Sequence, residues 1–155
     1  MRNLRVAFLV LAVLGAGVAA AIAQAAHTPD QAKAFVEKAV AFYKSEGRDK
    51  ALTAFSDSQG QWVDGDLYIV VVDANDGKLT MLAHAMNKGL VGKPQIDQKD
   101  ADGKAFLQDL PAALSAAGST WVSYKWPNAA TKKIASKKTF WEKTGDVIIG
   151  AGVYE

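Results

Sequence analysis

The spacing of hydrophobic and polar positions changes several times along this 155-residue chain, and each change marks an element. Val6 to Ala21 runs without a charge and is almost wholly apolar. Arg2 and Arg5 precede it, and Ala21-Ile22-Ala23 and Ala23-Gln24-Ala25 close it with small-x-small spacing. A positive start, an apolar stretch and small residues at its end predict a cleavable export signal over residues 1–25. An apolar run of this length also lies near the lower limit for spanning a bilayer. An uncleaved anchor is therefore the alternative, and the alanine-rich end favours cleavage. Thr28-Pro29-Asp30 then reads as a helix entry, with Thr28 able to cap and Pro29 at a position where its missing N–H costs nothing. Ala32, Phe35, Val36, Ala39, Val40 and Tyr43 follow at helical spacing and form one apolar stripe. Gly47 is the expected stop, and a shorter helix from Arg48 to Phe55 runs into a turn over Ser56 to Gly60.

The period then shortens. Leu67 to Val72 is β-branched, aromatic and apolar on both faces, which suits a central strand. Asp73-Ala74-Asn75-Asp76-Gly77 reads as a turn, and Leu79 to His84 as the returning strand of a hairpin. Asn87 to Pro94 is irregular. Asp100-Ala101-Asp102-Gly103 has the look of a second helix entry, with Phe106, Leu107, Leu110 and Leu114 as the apolar side and Gly118 as the end. Pro111 falls inside that stretch and is expected to kink or divide it. Three strands are expected to finish the chain: Thr120 to Trp126, Lys132 to Trp141 and Asp146 to Tyr154. Helix, helix, strand, strand, helix and three strands, joined by short turns, predict an α+β domain: an antiparallel sheet with helices to one side.

Charge and composition narrow the picture. The chain has 18 Lys+Arg and 16 Asp+Glu, and loss of Arg2 and Arg5 with the leader leaves equal numbers of each sign. A neutral domain with mixed charges carries no electrostatic footprint for nucleic acid or for an anionic membrane. About 130 residues, residues 26–155, suffice for one domain. A core of that size holds without disulfides, so the absence of cysteine is compatible with an exported, periplasmic or secreted protein. That absence also removes thiol catalysis and zinc–cysteine sites.

Few residues suggest reaction chemistry. His84 stands at the end of a strand leading into a glycine-containing loop, a place where sites are often lined; a structural role is the alternative. The other histidine, His27, lies beside the processing site. Asp97, Asp100 and Asp102 with Gly103 match a calcium loop poorly, and capping explains them more simply. No G-x-S-x-G, S-x-x-K or phosphate-binding glycine loop is present. Non-enzymatic function is expected, with no cofactor and no metal. The aromatic residues are more suggestive. Tyr124 and Trp126 share one face of a predicted strand and Trp121 takes the other, with Tyr68 near the first strand. Aromatic residues in a sheet either form core or line a ligand pocket. Lys137 and Lys138 are adjacent on a strand, so one faces inward and would need an anionic partner.

The order of motifs resembles a single Cache domain of the second type. The resemblance rests on Leu67 to Asp73, Asp76-Gly77, Leu82-Ala83-His84, Gly92-Lys93, Asp100 to Lys104, Trp121 to Asn128, Lys137-Lys138-Thr139-Phe140 and Ile149 to Tyr154, and covers roughly residues 30–155. It implies a PAS-like antiparallel sheet with a long N-terminal helix and short flanking helices, and extracytoplasmic sensing of small ligands, often short carboxylates. It nominates Tyr68, His84, Trp121, Tyr124, Trp126 and Lys137 as pocket residues. Three positions depart from the family pattern: Ala85 and Ala129 stand where proline is common, and Phe140 where a tyrosine is common. Sensory members usually continue into a membrane helix and output domain, whereas this sequence ends at Glu155. The resulting expectation is a module that binds a small organic acid and acts with a separate membrane receptor or transporter, without inserting in the membrane itself. The alternative is an accessory protein that has lost its ligand and binds a membrane partner.

Overall fold

The computed structural model describes residues 26–128 and 130–155; the expected export signal lies outside the described residues. Helix α1, Pro29–Glu46, begins where the sequence provides a complete cap. Gln31 N–H donates to Thr28 Oγ1 at 3.2 Å, and Thr28 N–H donates to Gln31 Oε1 at 2.7 Å, so two otherwise orphaned amides are satisfied reciprocally. Ala32, Val36, Ala39 and Val40 are the buried stripe. Gly47 ends α1 at φ 81° and opens α2, Arg48–Phe55.

Two short strands, β1 (Val63–Asp64) and β2 (Leu67–Tyr68), pair with each other. The main sheet holds β3 (Val70–Asp73), β4 (Met81–His84), β5 (Ser119–Pro127), β6 (Ile134–Thr144) and β7 (Val147–Tyr154). All pairings are antiparallel and the order is β4-β3-β7-β6-β5. Helix α3, Leu110–Ala117, precedes β5. Among the described residues no helix is long and apolar enough to cross a membrane.

The sheet divides two cores. On one face α1 and α2 cover Ile69, Val71, Phe140, Ile149, Ala151 and Val153, with Phe35, Phe42, Phe55 and Trp62 packed ring against ring at 5.1–5.9 Å. On the other face Leu110 and Leu114 of α3 pack with Val72, Trp141 and Ile148. The α+β class and the long first helix agree with the sequence reading, but helices do not gather on one side. The α3 leucines meet the face opposite α1 because Trp141 and Ile148 present the remaining apolar surface there.

Local differences have clear causes. The stretch Leu67 to Val72 is two strands, since Leu67 and Tyr68 pair with β1 while Ile69 N–H turns to Trp62 O at 3.2 Å. The returning strand starts at Met81, because Leu79 sits at φ 53° in the turn. β6 starts at Ile134, after a hairpin in which Lys132 adopts φ 60° and Asn128 Oδ1 accepts the Ala130 and Thr131 amides. Asp100 opens no helix. Its carboxylate accepts the amides of Asp102, Lys104 and Lys125, and Gly103 at φ 81° turns the chain back. The helix therefore begins at Leu110, and Pro111 lies in its first turn, where it is compatible with the helix rather than kinking it.

These loops also cover both sheet edges. Ala101 N–H donates to Lys125 O on β5, and Met81 of β4 exchanges hydrogen bonds with Gly92 and Lys93. Unpaired edge groups, which invite association with another strand, are thereby blunted.

Every residue of β7 is buried, and glycine is required within it. A Cβ on Gly150 would lie 2.4 Å from Trp141 Cε3. Gly150→Ala is expected to cost about 1–3 kcal/mol through overpacking, read as a lower urea midpoint; an unchanged midpoint would show that the indole moves freely.

Candidate ligand-binding site

β6 supplies the site with its alternate residues. Lys137, Thr139 and Trp141 line a cavity, whereas Phe140 joins the core beneath α1. Lys138 takes the same side as Phe140, with Nζ 5.2 Å from the centre of the Trp121 ring. Period-two alternation alone makes this separation.

Lys137 is 5% exposed, and glycine explains how it lies flat. A Cβ on Gly152 would fall 2.7 Å from Lys137 Cε and 2.2 Å from Thr139 Oγ1. The lysine stem therefore uses the space that a side chain on β7 would fill. Nζ then donates to Tyr68 Oη at 3.0 Å. It lies 4.3 Å from the centre of the Tyr68 ring and 4.7 Å from that of Tyr154. Among the described residues no carboxylate pairs with it. Asp66, the acidic group that favours its charge, is held by His27 Nδ1 at 2.9 Å.

Burial pushes the Lys137 amine down to about 7, with Asp66 opposing the effect. Dry surroundings penalise the charged form, and two ring faces with one hydroxyl do not replace water. His84 ends β4 with its ring 5.1 Å from Tyr68. Its Nδ1 accepts the Asn87 amide at 3.0 Å, which assigns the ring proton to Nε2. Burial, and then the nearby Lys137 charge, lower its pKa to about 4, so the imidazole is neutral at physiological pH. Burial raises the hydroxyl pKa of Tyr68 and Tyr124, and that of Tyr154 to about 12.

The outer wall is aromatic. Tyr124 stacks on Phe106 at 4.0 Å and shares a hydrogen bond of 2.9 Å with Thr139. Trp126 stands edge-on to both rings, 5.9 Å from Tyr124 and 5.6 Å from Phe106. Gln95, almost wholly buried, closes another side and donates from Nε2 to the carbonyls of Lys93 and Pro94. The cavity volume is about 40 Å³. A recess of about 310 Å³ shares Tyr68, His84 and Trp126 with it and includes Met86, Asn87 and Lys132. Among the described residues no group of three acidic or histidine side chains is arranged to hold a metal.

Five nominated residues, Tyr68, His84, Tyr124, Trp126 and Lys137, surround this one cavity. Trp121 does not. It is on the α1 face, its ring 5.1 Å from Phe140, as the strand period requires. The departure at Phe140 also falls on that face, so its missing hydroxyl is not in the cavity wall. Sequence reasoning missed Phe106, Gln95, Thr139, Trp141 and Gly152. Thr139 and Trp141 were available from their even spacing with Lys137. Phe106 was hidden by its placement on an expected helix face.

A PAS-like antiparallel sheet, with a long helix on one face and a small, aromatic-walled cavity on the other, defines a ligand-sensing module. The family comparison agrees: residues 16–155 match the model of Single Cache domain 2, and the chain belongs to that family. Its members are extracytoplasmic sensing modules without catalytic activity. A structure titled periplasmic sensor domain of a chemotaxis protein is 26% identical, with a TM-score of 0.60 over 81% of this chain and 88% of the other. A methyl-accepting chemotaxis protein from Vibrio parahaemolyticus is 21% identical, with a TM-score of 0.66 over 81% and 86%. A third structure, titled for carboxylic acid recognition by a Cache chemosensory domain, is 21% identical with a TM-score of 0.60 over 81% and 86%. No curated protein matches the chain. The localisation is periplasmic or secreted, as for the first of these relatives.

Lys137 makes stability depend on pH. Its folded pKa, about 7, lies below the roughly 10.4 of an unfolded lysine. Between those values the unfolded chain binds more protons, so stability rises with pH. His27 acts the other way: burial lowers its pKa, but bonds to Asp66 and Asp64 raise it overall. That contribution is common to wild type and Lys137→Met. Urea unfolding at pH 7 and 9 should show wild type gaining on the order of 2 kcal/mol relative to Lys137→Met. Parallel behaviour of the two proteins would contradict the burial of an amine without a counter-charge.

Proposed function

We propose that the cavity binds a small monocarboxylate and that the domain passes this occupancy to a separate membrane receptor or transporter. The observation that carries the reading is the Lys137 amine, buried against the cavity with a tyrosine hydroxyl and, among the described residues, no carboxylate partner. A buried cation without its counter-charge is costly, and a ligand carboxylate relieves that cost. His84 Nε2–H offers a second donor, and the Phe106, Tyr124 and Trp126 rings provide an apolar wall. One cationic side chain among neutral groups matches one negative charge, which disfavours dicarboxylates. The cavity is small, about 40 Å³, which favours short acids. The fold shared with sensor domains of chemotaxis proteins supports a role beside a receptor. The structure titled for carboxylic acid recognition is in keeping with the ligand class.

Thermal unfolding against acetate, propionate, pyruvate, succinate and small amines tests the reading. A ligand that binds only the folded state stabilises it by about 2.7 kcal/mol at one hundred times Kd. Saturable shifts with a monocarboxylate and none with succinate are expected. Lys137→Met should weaken binding by about 2 kcal/mol or more, through loss of the buried pair. A shift with amines alone would replace the ion pair with an aromatic cage. No shift with any compound would favour the ligand-free accessory protein.

A further inference from the structure

We infer that the cavity takes up its carboxylate together with a proton, so that ligand capture converts the Lys137 amine to an ammonium ion paired with the bound anion. The inference rests on the carboxylate-binding reading above and adds its proton balance. The reaction is carboxylate plus proton plus neutral amine, giving an ammonium–carboxylate pair with no bond broken in the ligand. Its net effect equals capture of the neutral acid.

The geometry leaves Lys137 as the group that can supply the charge. Tyr68 on β2, Tyr124 on β5 and Tyr154 on β7 face the cavity or the amine as neutral hydroxyls. His84 on β4 has its Nδ1 lone pair engaged by the Asn87 amide, so it serves as a neutral donor. Asp66 favours charge on the lysine but is bonded to His27. Toward the β5 edge, Lys137 also borders an outer recess with Glu155, Asp100, Asp102, Lys104 and Lys125. There Asp102 pairs with Lys125 at 2.8 Å, and Asp100 is occupied by three backbone amides. None of these carboxylates pairs with Nζ. Among the described residues the amine therefore bonds Tyr68 Oη and lies against two ring faces. An entering carboxylate supplies the missing counter-charge, which moves the lysine back toward its ordinary protonation.

The burial-depressed pKa of the lysine, about 7, sets the size of the effect. At pH 8, about 0.9 proton should be taken up per ligand. Affinity should fall about tenfold per pH unit above neutrality, until the bound lysine itself titrates. Binding would then register acidity as well as ligand concentration.

Isothermal titration of the purified protein with propionate and with acetate at pH 8, in HEPES and in Tris, reads proton uptake from the dependence of the observed heat on the buffer's ionisation enthalpy. The expected result is uptake near one proton and a Kd about tenfold higher at pH 9 than at pH 8. His84→Gln should keep the uptake, whatever its affinity. Binding without buffer-dependent heat would overturn the inference and leave the carboxylate reading standing. Uptake that disappears in His84→Gln would overturn the assignment to Lys137. Absence of binding by either acid would overturn both the reading and the inference.

Discussion

A buried lysine amine that pairs with no carboxylate among the described residues is the constraint around which the cavity side of this domain is arranged. Nζ of Lys137 can lie where it does because Gly152 leaves room for its stem. It finds Tyr68 because a two-residue strand, β2, delivers that hydroxyl 3.0 Å away. Asp66 comes from the same hairpin, yet its carboxylate turns to His27 at the start of the domain. The result is a site short of one negative charge. Such an arrangement costs stability, and the proposed anion would restore it.

The cost is borne by two cores on opposite faces of a single sheet. β6 and β7 belong to both. Their alternate residues send Phe140, Ile149 and Val153 toward α1, and Lys137, Thr139 and Trp141 toward the cavity. The face under α1 is buried and rich in aromatic rings. The opposite face is covered by α3 and by the loop carrying Gln95 and Phe106. This division explains why the departure at Phe140 leaves the cavity intact. It also gives the glycines of β7 distinct tasks: Gly150 admits the Trp141 ring and Gly152 admits the lysine stem.

Much of this was legible in the sequence because it is local. The capping residues of α1, the apolar stripe from Ala32 to Val40 and the Asp73 to Gly77 turn depend on neighbours in the chain. The inward turn of one lysine in the Lys137-Lys138 pair follows from the strand period, and the same rule placed Trp121 away from Tyr124 and Trp126. What was not legible depends on contacts distant in sequence. Asp100 looked like a helix cap until the Lys125 amide, 25 residues away, took its carboxylate. Phe106 looked like helix core, but stacks on Tyr124 of β5, on the far side of α3 in the chain. The role of Gly152 required the register of β6 against β7, which no local pattern states.

The most direct test is an NMR titration of the Lys137 side chain in the unliganded protein, following Cε and Nζ with selective labelling. A midpoint near 7 is expected. A midpoint near the ordinary lysine value of about 10.4 would contradict it, because the amine would then already have its charge balanced and the cavity would have no electrostatic reason to capture an anion.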